Sequence, residues 1–170
     1  MDQVKWIERK FSFDSKENIF PSVVDRLEGT VIRLRHRLQS VDEKTLRHQP
    51  EGRWSILEHI GHLADLETLW QTRLEEILEG KETMSAADMT NAKTHAARHN
   101  EKEVHWLIRE FEDLRNETLQ SLHELKEEDV FRSAFHPRLQ KPMRIIDLFL
   151  FVAEHDDHHL VSIKEIAKTV

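Results

Sequence analysis

The chain has 170 residues, 38% hydrophobic and 34% charged, which suits one domain with a single sizeable core. With 25 Lys+Arg against 32 Asp+Glu it carries a formal net charge of −7, which argues against nucleic acid or an anionic membrane surface as its main partner. The absence of cysteine excludes disulfides, thiolate-held zinc, iron–sulfur clusters and a cysteine nucleophile.

Only four glycines and four prolines occur, so little punctuation favours long helices over a many-turned β-sandwich. Residues 1–19 mix Trp6, Phe11 and Phe13 with charges and read as a lead-in that packs on the body formed by residues 20–170. They do not show the pattern of a signal peptide. A first helix starts near Pro21, with Val23, Val24, Leu27, Val31, Leu34 and Leu38 at helical spacing. The turn at Gln49-Pro50-Glu51-Gly52 ends whatever helix precedes it. A second helix follows Trp54, opened by Ser55 and Glu58 as a capping box and closed near Gly80; Ile56, Ile60, Leu63, Trp70, Leu74 and Ile77 form its inner stripe.

Residues 81–98 are polar and weakly periodic, a loop with room for one short helix. A third helix spans about Asn100 to Leu125, with Val104, Leu107, Ile108, Phe111, Leu114, Leu119 and Leu122 on its apolar side. Residues 126–143, with Pro137 and Pro142, suit an extended or hairpin-like connection. A fourth helix runs from Arg144 to Lys168. The pattern predicts an all-α protein, a four-helix bundle with a short hairpin segment before the last helix. Its longest apolar stretch, Ile145 to Ala153, is interrupted by Asp147 and is far short of the ~20 residues of a membrane span. The expectation is a cytoplasmic protein.

Twelve histidines are the compositional oddity. His155 and His159 stand four apart in the fourth helix, so they lie on one face about 5–6 Å apart at Cβ. Leu148, Val152, His155, His159, Ile163 and Ile166 share one phase, so both imidazoles continue the apolar stripe, with His158 on its flank. Two inward imidazoles at that spacing favour a shared cation over two ordinary buried histidines, each of which would need its own hydrogen-bond partner. A third donor must come from the second helix, where phase leaves His59 and His62 both open. Other metal patterns fit worse. HExxH would need Glu at 156, where Asp156 stands, and no Glu precedes a His by three. Asp156 and Asp157 fall out of phase with the histidines and read as solvated or supporting carboxylates. Arg33 to Arg37 read as a solvated basic face in preference to a nucleic-acid patch, Asp88 to His95 as a solvated loop with pocket lining as the alternative, and Trp54 and Trp70 as core anchors.

The string Trp54-Ser55-Ile56-Leu57-Glu58-His59-Ile60-Gly61-His62-Leu63-Ala64-Asp65 resembles the first signature of the DinB-like superfamily of damage-inducible and thiol S-transferase-related four-helix bundles. Phe151 to Leu160 resembles its second signature, and His136-Pro137-Arg138-Leu139 with Pro142-Met143-Arg144 is similar to the segment before the last helix in many members. The resemblance implies a divalent metal ion, zinc or nickel, held by His62, His155 and His159. It selects His62 because the ligand in that signature stands eight residues after the Trp. It also implies a homodimer and a small-molecule substrate. Three imidazoles leave an ion an open position, which suits a catalytic centre that activates a water or a low-molecular-weight thiol. Thiol S-transfer is the leading expectation. A metal-dependent hydrolase and a non-enzymatic, metal-stabilised binding bundle are the alternatives. Glu58, one turn before His62, is a candidate general base or orienting group, in competition with its capping role.

Overall fold

Local chemistry marks the ends of the helices in the computed structural model, which describes residues 3–168. In α1 (Phe20–Leu38), Pro21 sits in the first turn, and Asn18 Oδ1 accepts the Phe20 N–H at 3.1 Å. A short α2 (Glu43–Arg47) follows, capped by Asp42, whose carboxylate accepts the Thr45 N–H at 2.8 Å. The capping box of α3 (Ile56–Leu78) has both halves formed, Glu58 N–H to Ser55 Oγ and Ser55 N–H to the Glu58 carboxylate. Gly80 ends α3 at φ +78, a left-handed position at which glycine meets no Cβ penalty. Gly80 N–H bonds Ile77 O and Lys81 N–H bonds Glu76 O, so a Schellman motif satisfies two terminal carbonyls.

The polar stretch after α3 holds α4 (Ala92–Ala96) and a 3-10 turn at His99–Glu101, and α5 runs Val104–His123. Strands β1 (Ser133–His136) and β2 (Lys141–Arg144) pair antiparallel, with Ala134 opposite Met143. α6 (Ile145–Lys168) begins where Asp147 takes the Arg144 N–H and both ends of its guanidinium. The sequence placed the four long helices; α5 starts later than expected because residues 99–101 wind as a 3-10 turn.

Of the long helices, α1 and α3 each pack against both α5 and α6, so α1 faces α3 across one diagonal and α5 faces α6 across the other. The two links that cross a diagonal, 39–55 and 124–144, have small elements of their own, α2 in one and the hairpin in the other. No helix of the described residues is long and apolar enough to cross a membrane.

The core is divided. One apolar cluster takes Val24 and Leu27 of α1, Trp70 and Leu74 of α3, Leu122 of α5 and Leu148 and Val152 of α6. The other takes Val31 and Leu34, Ile56 and Ile60, Leu107 and Phe111, and Leu160 and Ile163. Along every helix a polar residue stands at the break: Thr30, Glu67, Arg115 with Thr118, and Asp156. Arg115 ties them together. It donates to Glu67 Oε1 at 2.6 Å and Asp156 Oδ2 at 2.7 Å, while the Thr118 and Thr30 hydroxyls donate to the same two carboxylates. Burial works against the Arg115 charge, but Asp156 and Glu67 outweigh it and hold its pKa above the ordinary value. Of the two roles read for Asp156, solvated or supporting, burial excludes the first. Asp156 is fully buried, with Thr30 of α1 and Arg115 of α5 closing over its carboxylate. Asp157 is half-buried and paired with Arg26 and Arg33, so Arg33 is tied to α6 rather than free.

Residues 3–19 pack on α6. Trp6 meets the rings of Phe151, His155 and His158, and Arg9 pairs with Glu154. Met1 and Asp2 of the lead-in, and Thr169 and Val170 of the body, lie outside the described residues.

Candidate metal centre

The inner face of α6 presents His155 and His159 one turn apart, and α3 brings His62 to them. One ligand atom from each of the three lies within 4.8 Å of the others, and all three residues are buried. His155 Nε2 and His159 Nε2 are 3.1 Å apart. Two nitrogens each about 2.0–2.1 Å from one ion, in tetrahedral arrangement, stand ~3.3 Å apart. Burial first, and neighbouring charges second, push both pKa values well below the ordinary histidine value. Burial likewise takes His62 down to about 4, against the opposing pull of Asp65. The three rings are thus neutral near pH 7, the form that ligates. His155 Nδ1 is buried with no hydrogen-bond partner among the described residues. A donor set of crowded, neutral, incompletely satisfied imidazoles fits a divalent cation.

Each ring is held from behind by a different device. His62 Nδ1 faces Thr94 Oγ1 at 3.0 Å, and that hydroxyl donates to Asp65 Oδ2 at 2.9 Å. Thr94 therefore accepts from His62 Nδ1–H, which leaves Nε2 with its lone pair free. Asp65 also accepts from His99 Nε2 at 2.8 Å. Burial would raise the Asp65 pKa, but the bonds from His99 and Thr94 outweigh it and hold it low. His99 reaches Asp65 only because residue 61 is glycine: a Cβ there would stand 2.2 Å from the His99 ring. His159 Nδ1 lies 2.8 Å from His59 Nδ1. His59 thus supports His159 and is not in the triad; burial takes its pKa down to about 3. Trp6 packs edge-on to His155 at 5.0 Å between centroids.

The rings open onto a cleft of about 290 Å³ lined also by Trp6, Trp54, Trp70 and Phe151. Trp54 is half-buried, stacks on His159 at 19° and meets His62 at 4.6 Å, so it is a wall of the cleft and not the core anchor expected. Trp70 is 3% exposed and does anchor the core. The 88–95 stretch is not simply solvated: Asp88, Met89 and Asn91 line the cleft and Thr94 is buried against His62. Nothing apolar recurs there, so periodicity had no signal to offer. Glu58 is placed in the helix cap, its carboxylate also accepting from Gln49 Nε2 at 2.8 and 2.9 Å, and it does not line the cleft.

A family profile described as the DinB superfamily matches residues 26–163. The Bacillus subtilis (strain 168) protein YuaE is 25% identical over 148 residues, covering 79% of this chain and 91% of that relative. Among solved structures, YfiT from Bacillus subtilis superposes with a TM-score of 0.77 over 94% of this chain and 92% of its own, at 17% identity. YfiT is described as a probable metal-dependent hydrolase with an unusual four-helix bundle topology. At that identity the likeness establishes the shared fold.

Proposed function

The chain belongs to the DinB superfamily, and from that premise we propose that it is a metal-dependent enzyme acting on a small molecule, of the thiol S-transferase type. The convergence of His62, His155 and His159 at the base of a cleft is the observation that carries this reading. The ion is zinc or nickel, since neutral imidazole donors suit both. When bound, such an ion supplies a Lewis-acid centre with an open position that lowers the pKa of a water or thiol. The chain's own residues hold the donors in place, and the indoles of Trp6, Trp54 and Trp70 keep bulk water from the walls. The description of YfiT favours hydrolysis as a second reading on the same centre.

Steady-state assays of the zinc- and nickel-loaded protein separate the two. With a chlorodinitrobenzene-type electrophile and a panel of low-molecular-weight thiols, the transferase reading expects thiol consumption that the metal-free protein lacks. Turnover of ester or amide substrates without added thiol would favour the hydrolase. Activity in neither assay would leave a metal-stabilised binding bundle.

Support from behind the ligands has a measurable value. Removing such a partner from a metal-bound histidine weakens metal binding about 10–100-fold. Thr94→Val is expected to fall in that range and His59→Ala to weaken binding as well, with His62→Ala weaker than either. Competition against a chromogenic chelator ranks them. If His59→Ala proved the most damaging, the third ligand would be His59.

A further inference from the structure

The cleft that exposes the three imidazoles has a second polar group. Arg73 of α3, His136 of β1 and Arg138, two residues further on, all line it. Arg73 and His155 touch the same indole: Arg73 Cζ is 5.4 Å from the Trp70 ring centre and the His155 ring is 5.9 Å from it.

Donors outnumber acceptors here. Arg73 is 1% exposed. Its Nε donates to Ser85 O at 2.9 Å, and its Nη2 is buried with no hydrogen-bond partner among the described residues. Its Nη1 lies 3.2 Å from His136 Nε2, while the Leu139 N–H points at His136 Nδ1, also at 3.2 Å. Burial, with Arg73 and Arg138 adding to it, takes the His136 pKa down to about 4, so the ring is neutral near pH 7. A neutral imidazole has one acceptor nitrogen, so it cannot serve both donors. Arg138 lies over the Phe151 ring at 5.7 Å and has no carboxylate partner among the described residues. The nearby carboxylates are engaged elsewhere. Glu76 accepts from the Ser85 N–H and Oγ, each at 2.7 Å, and Asp88, the cleft's own acid, accepts from Thr90 and Ala92. A buried guanidinium with an unsatisfied donor costs stability unless an acceptor arrives. Glu76 offsets part of the Arg73 charge from a distance without hydrogen-bonding it, and Arg138 has no such acid among the described residues, so the two guanidiniums still concentrate positive potential in the cleft.

We propose that Arg73 and Arg138 form an anion subsite, which binds a carboxylate or phosphate group of the small molecule whose reacting end meets the three imidazoles. Guanidinium forks suit both anions through charge-assisted, bidentate bonds. The assignment of the reacting end rests on the proposed metal-dependent function; the anion subsite itself needs no metal.

The test is isothermal titration of the full chain, metal-free and zinc-loaded, with inorganic phosphate and with succinate. The expected result is saturable 1:1 binding of at least one anion to the metal-free protein, with the preferred anion telling phosphate from carboxylate. Arg73→Gln and Arg138→Gln should each weaken that binding at least tenfold. Arg138 is half-buried, so Arg138→Gln decides the matter even if Arg73→Gln fails to fold. No saturable binding to the metal-free wild type would overturn the subsite, and so would unchanged affinity in Arg138→Gln. Binding confined to the zinc-loaded protein would also overturn it, because the anion would then be on the metal. A protein that binds the anion but holds no zinc would sink the metal-centred reading and leave the subsite standing.

Discussion

Alanine at both 155 and 159 is expected to abolish stoichiometric metal binding while the chain stays helical. The two side chains supply two of the three donors that lie within 4.8 Å of one another, and a lone His62 offers a cation no chelate. The fold has other sources of stability. Both apolar clusters lie outside residues 154–159 of α6, and the Arg115 network reaches that helix through Asp156. Elemental analysis of the purified variant should fall from one ion per chain to none, with the far-ultraviolet circular dichroism of wild type. One ion per chain in the double variant would place the metal elsewhere.

Arg115→Met is expected to cost about 3–5 kcal/mol, the range for removing one partner of a buried ion pair. The penalty comes from what is left behind: Glu67 and Asp156, each 0% exposed, with only threonine hydroxyls as partners. The triple variant Glu67→Met, Arg115→Leu, Asp156→Val removes all three charges and should recover most of that loss. Urea unfolding followed by circular dichroism measures both. A single variant within 1 kcal/mol of wild type would mean the network contributes little to stability. Asp156 sits beside His155 in α6, so the network also sets how that helix presents its histidines.

The structure divides what could be read in advance from what could not. The capping box at Ser55 and Glu58, the stop at Gly80 and the apolar steps of the long helices are local signals, and the elements formed where they point. His155 and His159 were visible for the same reason, since they continue a stripe with a period of 3.6 residues. His59 and His62 could not be separated by phase. Only the resemblance pointed to His62, and in three dimensions the two have different neighbours, Thr94 behind one and His159 against the other. Asp65 and Thr94 lay inside stretches already singled out but with no role of their own, and His99, Arg73 and Arg115 gave no sign at all. Each is polar, and a polar residue in a sequence reads as surface until something covers it.

The helices, the hairpin position, the family and the inward turn of one histidine pair were legible along the chain, because they depend on hydrophobic period, capping chemistry and a matched motif. Which polar side chains are buried, and what they face, came from packing alone. That outcome depends on which helices become neighbours across the bundle, through contacts between residues far apart in the chain. A charge on α5 can find its carboxylates on α3 and α6 only after all three have packed.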